Sequence, residues 1–127
     1  FPDNRYDFAI VSETLQAVRR PRYVISEMVR VAHTSIVTFP NFGKWTHRYD
    51  LWRTGRMPKG AAIPFEWYNT PNIHLFTLLD FLDVCRLENI DVVDLLCVPR
   101  RLVDRVLIRL SLLNMGADHV VARIRRG

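Results

Sequence analysis

The chain has 127 residues, 49% of them apolar and 24% charged, and carries a formal charge of +5 at neutral pH. Those proportions are ordinary for a globular protein, and the length suits one compact domain or a piece of one. No apolar run is long enough to cross a bilayer, because Thr77, Asp80 and Asp83 interrupt 75–84 and Arg109 interrupts 106–113, and no secretory signal pattern is present.

The chain opens at Phe1 and reads as a loop for a few residues, which suggests a start in mid-fold. Residues 6–11 form a nearly continuous apolar run, the pattern of a central parallel strand covered on both faces. Ser12, Glu13, Thr14 and Gln16 follow at once and cluster polar side chains past its carboxyl end. Over 21–32, Tyr23, Val24, Met28 and Val31 recur at helical spacing, and Pro21 suits a first turn, where its missing N–H would be unpaired anyway. Residues 35–39 are a second apolar strand, stopped by Pro40-Asn41-Phe42-Gly43. Strand, helix and strand make a βαβ unit, whose right-handed crossover opens both polar loops on one edge of the sheet. Ligands bind at that edge in such folds.

From 42 to 73 the chain changes character, with Trp45, Tyr49, Trp52, Trp67 and Tyr68 scattered among prolines and basic residues and no sustained period. Trp45, Tyr49 and Trp52 fit one face of a short helix. The remainder reads as a long ordered insertion, since so many aromatics are costly to leave in water. Thr77, with Asp80 three residues on, resembles a capping arrangement ahead of a helix carrying Leu78, Phe81, Leu82, Cys85 and Leu87 up to Glu88. Residues 90–98 read as a strand, and 100–113 as an amphipathic helix with Arg101, Arg105 and Arg109 on one flank. A turn at Gly116 leads to a last strand over 119–126, and no internal repeat is present.

The positive charge gathers in the tail, where Arg100, Arg101, Arg105, Arg109, Arg123, Arg125 and Arg126 face only Asp104 and Asp118. Such a patch attracts phosphate, RNA or an acidic partner. Arginines that solvate a helix face are the plainer reading, and without an RNP-like motif or a Cys/His finger an RNA-binding module is a remote alternative. Cys85 and Cys97 lie far from any CxxC spacing, one on a helix and one on a strand, and read as buried free thiols in a reducing, cytoplasmic compartment. The five glycines, at 43, 55, 60, 116 and 127, build neither a GxGxxG turn nor a P-loop. The four histidines show no metal-binding spacing, so no metal is expected, and no GxSxG elbow is present.

Residues 1–18, Phe-Pro-Asp-Asn-Arg-Tyr-Asp-Phe-Ala-Ile-Val-Ser-Glu-Thr-Leu-Gln-Ala-Val, resemble the fourth-strand segment of class I methyltransferases that use S-adenosylmethionine. Three further motifs in order resemble the signature of the methionine-biosynthesis MetW family: Thr38-Phe39-Pro40-Asn41-Phe42-Gly43-Lys44-Trp45, Gly55-Arg56-Met57-Pro58, and Trp67-Tyr68-Asn69-Thr70-Pro71-Asn72-Ile73-His74. Asn69 stands where the family pattern has Asp, and the likeness is looser over 99–127. The resemblance implies an α/β, Rossmann-like class I methyltransferase fold, with a seven-stranded sheet in the order 3-2-1-4-5-7-6. This chain would be its carboxyl-terminal part, strands 4-5-7-6 with flanking helices, and the amino-terminal half that cradles the cofactor would be absent. Residues 1–127 would then be one portion of a single domain, with 42–73 as its aromatic-rich insertion. The first of these strands would present an unpaired edge that invites strand exchange. A link to methionine biosynthesis through homoserine O-acylation is also implied. The chain would serve it either by methyl transfer from S-adenosylmethionine or as a non-catalytic regulatory partner of homoserine O-acyltransferase.

By the same resemblance, Ser12, Glu13, Thr14, Leu15 and Gln16 stand beside the cofactor S-adenosylmethionine. Core packing competes for Leu15, capping of the next turn for Ser12 and Thr14, and plain solvation for Glu13. Asn41 follows the second strand and either faces a substrate or closes a turn. Trp45, Tyr68 and Asn72 are further candidates for a substrate pocket, against the simpler task of packing the insertion on the sheet. His74 is the one candidate general base, with a structural, hydrogen-bonded loop histidine as the competing reading.

Overall fold

The structure, a computed structural model, describes residues 1–60 and 63–127. Four strands, β1 (Tyr6–Ser12), β2 (Ala32–Pro40), β3 (Ile90–Val98) and β4 (His119–Arg126), form one mixed sheet in the order β1-β2-β4-β3. β1 and β2 are parallel and are joined through α1 (Pro21–Val31), whereas β4 runs antiparallel to both β2 and β3. This is the 4-5-7-6 order implied by the resemblance. One edge of the sheet therefore collects the carboxyl ends of β1, β2 and β3 together with the start of β4.

Local chemistry sets the helix boundaries. α1 begins on Pro21, as its sequence requires. α2 (Trp45–Thr54) stops at Gly55, whose φ of 66° is a left-handed conformation open to glycine. α3 (Leu78–Leu87) carries the expected capping box: Thr77 Oγ1 accepts from the Asp80 amide at 3.2 Å, and Asp80 Oδ2 accepts from the Thr77 amide at 3.0 Å. The single helix expected over 100–113 is instead two pieces, α4 (Leu102–Arg109) and α5 (Leu113–Gly116). The chain reverses at Ser111, with φ 62°, and packs Gly116 so closely on α4 that a Cβ there would lie 2.9 Å from the Asp104 carbonyl oxygen.

Strand alternation sends Ser35, Val37 and Phe39 of β2 and Val120, Ala122 and Ile124 of β4 to one face, where all are fully buried. Ile25, Met28 and Val29 of α1 and Leu78, Phe81 and Cys85 of α3 close over them in one core. The Phe39 ring lies 4.8 Å from both Phe76 and Phe81. The opposite face is open, with Phe8 64% and Ile10 67% exposed on β1 and Leu96 exposed on β3 at the far edge. β1 is thus an edge strand covered on one side, and the expectation of a central strand covered on both faces does not hold among the described residues. Its near-continuous apolar run has two unlike halves: Ala9 and Val11 pack on the core, and Phe8 and Ile10 face away from it.

Phe39→Ala is expected to lower stability by about 3–5 kcal/mol, read from urea denaturation midpoints at unchanged slope. A loss below about 1 kcal/mol would contradict this placement of the core.

Candidate functional site

The loop past β1 lies at the shared edge. Ser12 Oγ accepts from Thr38 Oγ1 at 3.1 Å, so the two parallel strands are tied side chain to side chain where they end. The Glu13 amide reaches Thr38 O at 3.0 Å and Thr38 Oγ1 at 3.1 Å. Glu13 itself has φ 54°, a left-handed conformation that costs a non-glycine residue energy and is concentrated at functional positions. Its carboxylate Oε1 lies 3.0 Å from His119 Nδ1 at the start of β4. Thr14 precedes a single 3-10 turn, Leu15–Ala17, without capping it through its side chain, so the capping role is filled by neither Thr14 nor Ser12. Leu15 is a core residue. Gln16 is buried; its Nε2 donates to Glu13 O at 2.9 Å, and its Oε1 has no partner among the described residues. Its backbone oxygen accepts from the amides of Ile73 and His74 at 2.9 and 2.8 Å, which fastens the end of the insertion to this loop.

Asn41 is fully buried, and all of its amide capacity is used. Nδ2 donates to the carbonyls of Asn114 at 2.8 Å and Ala117 at 3.0 Å, while Oδ1 accepts from the amides of Gly43 at 3.1 Å and Leu78 at 2.9 Å. The side chain joins the end of β2, the start of α3 and the approach to β4. Of its two sequence readings, closing the turn is the one these hydrogen bonds serve directly, with both donors and both acceptor positions of the amide engaged within the chain. Gly43 belongs to the same joint, since a Cβ on it would lie 2.8 Å from Asn114 Oδ1 and 3.1 Å from Thr77 Cβ.

Below this joint is an ionic cluster. Lys44 Nζ sits 2.9 Å from Asp104 and 2.8 Å from Asp118, all three buried. Asp104 also accepts from the Trp45 indole at 2.8 Å and from the amides of Arg100 and Arg101, both at 2.9 Å. Burial alone would raise its carboxyl, but the hydrogen bonds from Lys44, Trp45 and those two amides outweigh it and hold the group at about 2. The two aspartates that the tail's arginines were expected to face are therefore committed to Lys44. Sequence reading missed this cluster; its one visible signal was an acid three residues into an amphipathic helix, a position that caps.

The insertion keeps less of its aromatic surface from water than expected. Trp52 is 81% exposed, and Tyr68 is exposed with its ring edge-on to Trp67. Trp45 alone of the candidate aromatics is tied into the edge. Asn72 is half-buried, with its amide donating to Thr70 Oγ1 at 3.1 Å. His74 is exposed and borders an apolar pocket of about 300 Å³ lined by Leu15, Ile25, Phe76 and Phe81. Both cysteines are free; burial pushes the Cys85 thiol up to about 11 and Cys97, half-buried, also upward, so neither is an activated nucleophile. No helix among the described residues is long and apolar enough to cross a membrane, and they contain no cluster of metal-ligating side chains.

The model of the family described as "Methionine biosynthesis protein MetW" matches residues 1–123. The chain belongs to the MetW family. Family membership ties it to methionine biosynthesis. One curated relative, the bifunctional methionine biosynthesis protein MetXA/MetW of Rhodopirellula baltica, is 38% identical over 85 residues, which are 66% of this chain and 14% of that protein. Among solved structures, an S-adenosylmethionine-dependent methyltransferase of Thermotoga maritima superposes with a TM-score of 0.62 at 15% identity, over 100% of this chain and 59% of that one. A second, from Archaeoglobus fulgidus, gives 0.58 at 7% identity, over 99% and 62%. The [4+2]-cyclase SpnF gives 0.59 at 14% identity, over 99% and 51%. The family member thus has a methyltransferase-like fold and spans roughly half to two thirds of each of these solved chains. The cyclase shows that the fold hosts more than one chemistry.

The folded value of Asp104 lies below its free value of 3.8, so its contribution to stability is complete above about pH 4 and disappears as the pH falls toward 2. That contribution is about 2 kcal/mol. Urea melts of the wild type should show this acid loss, and Asp104→Asn should lack it while being about 3 kcal/mol less stable at pH 7. Parallel acid limbs in the two proteins would contradict the assignment.

Proposed function

We propose that this chain acts in methionine biosynthesis, in the cytoplasm, as the carboxyl-terminal portion of a single methyltransferase-like domain whose partner is homoserine O-acyltransferase. The observation that carries the ligand-binding part is the loop after β1: Glu13 is held in a strained conformation, and the buried Gln16 oxygen beside it has no partner among the described residues. Neither feature is what a merely structural turn needs, since each costs stability. Both lie at the carboxyl edge, where α/β sheets of this kind bind ligands. The partner is supported by the curated relative, whose name joins MetXA and MetW in one protein.

The residues fit S-adenosylmethionine as one wall of a site. When bound, that cofactor supplies an activated methyl group. Gln16 Oε1 is available to accept a hydrogen bond, Glu13 is oriented by His119, and Leu15 supplies apolar surface beneath them. The glycine-rich turn that lets backbone approach a nucleotide is not among this chain's residues and would come from an amino-terminal half of the domain. A second reading, a regulatory partner that binds without turnover, is favoured by the fate of two candidates: Asn41 is locked in the joint, and His74 stands exposed beside an apolar pocket.

Calorimetry on a full-length protein carrying the upstream strand and turn should show saturable binding of S-adenosylmethionine or its demethylated product. Gln16→Leu should weaken it at least tenfold with little change in melting temperature. Equal binding by the variant would remove loop 12–16 from the site. The acyltransferase should copurify with the tagged protein, and failure to do so would remove the partner. Methyl release across a panel of acceptors then separates an enzyme from a regulator.

A further inference from the structure

A pocket of about 280 Å³ opens between the first turn of α2 and the chain leading into α4. Its lining includes Trp45, His47, Tyr49, Lys59, Arg100 and Arg101. With Lys44, four cations stand against two lining carboxylates, Asp50 and Asp118. Asp118 and the adjacent Asp104 are already bound to Lys44, and Lys59 pairs with Glu66 at the surface. Arg100 and Arg101 have no carboxylate partner among the described residues, and both are exposed residues that line the cavity. The ion cluster beneath fixes the backbone at this point, because Asp104 holds the amides of both arginines.

His47 adds a feature that a simple basic patch lacks. The side chain is buried and its ring stacks on Phe42, with centroids 5.4 Å apart. Nδ1 lies 3.2 Å from the Phe42 carbonyl oxygen, to which it donates in the neutral ring. Burial lowers the tendency of this ring to take a second proton. Nε2 then carries a lone pair, makes no hydrogen bond among the described residues, and lies near Gly60 of the pocket lining, 3.8 Å from the position a Cβ there would occupy. An oxyanion has no use for a lone pair, but a hydroxyl or amine on the same ligand does. Trp45 and Tyr49 offer apolar wall to the carbons between those groups.

We propose that this pocket binds a small acid, carboxylate or phosphate, that also carries a hydroxyl or amine. Arg100 and Arg101 hold the oxyanion, and His47 Nε2 accepts from the hydroxyl or amine. The assignment requires nothing of the loop after β1 and stands apart from S-adenosylmethionine binding.

The test is a titration of the full-length protein at constant ionic strength, following the His47 ring nitrogens and the Trp45 indole by NMR. Glycolate represents the carboxylates and glycerol phosphate the phosphates; acetate and methyl phosphate are their counterparts without a hydroxyl, and chloride is the ionic control. At least one hydroxylated ligand is expected to saturate both signals and to bind ten times or more tightly than its counterpart, and whichever does identifies the acid group. The double variant Arg100→Gln, Arg101→Gln, altered only at exposed side chains, should lose that binding at least tenfold with an unchanged melting temperature. Shifts that fail to saturate, that chloride reproduces, or that the double variant retains would overturn the proposal. So would equal binding of ligands with and without the hydroxyl.

Discussion

The carboxyl edge of the sheet depends on one buried carboxamide. Asn41 makes four hydrogen bonds to backbone groups of Gly43, Leu78, Asn114 and Ala117, drawn from three places in the chain. Each such bond contributes about 1 kcal/mol, and each backbone group left unpaired in a buried place costs about 1–3 kcal/mol. The larger figure explains why the joint is specific: any other arrangement of these segments strands several polar groups at once. Lys44 extends the same joint by three residues and ties α4 and the start of β4 to it through Asp104 and Asp118.

That ionic cluster redistributes charge across the molecule. A lysine paired with two carboxylates inside the protein removes the acids that would otherwise balance the tail. Arg123, Arg125 and Arg126 find Asp94, Asp91 and Asp3 along the sheet, but the arginines at the head of α4 do not find such partners among the described residues. The positive potential at the edge is therefore a consequence of how the interior is built, and it lies where the fold gathers its loops. The strained Glu13 and the unpartnered Gln16 oxygen lie on the same edge at the end of β1, so rigid support and unsatisfied polarity are placed side by side.

Periodicity was sufficient for the four strands, α1 and the capped α3, because their apolar faces all point at one core and local preference agrees with packing. The strand order came from the motif resemblance, and the structure reproduces it. Where periodicity misled, a tertiary fact outweighed it. The run at 6–11 has the composition of a strand covered on both faces; Ala9 and Val11 meet the core under the helices, and Phe8 and Ile10, on the other face, are exposed among the described residues. The helix expected over 100–113 breaks at Ser111, where close packing of Gly116 on α4 favours a reversal. The site was less legible. Glu13 and His119 are 106 residues apart, and Lys44 lies 60 and 74 residues from its two aspartates, so no local spacing joins them. Asn41 was visible as a residue at the right edge, but its four backbone partners lie up to 76 residues away and no local spacing shows them.

Amide hydrogen exchange on the native protein reaches the central claim directly. Gly43 lies in a loop and Leu78 at the first position of a helix, where amides ordinarily exchange quickly because they lack intrahelical partners. Both are bonded to Asn41 Oδ1. If that joint holds the edge together, they exchange only in the opening that releases the amides of β2 and β4. Exchange at the rates of the neighbouring loop amides, long before the strands open, would contradict it.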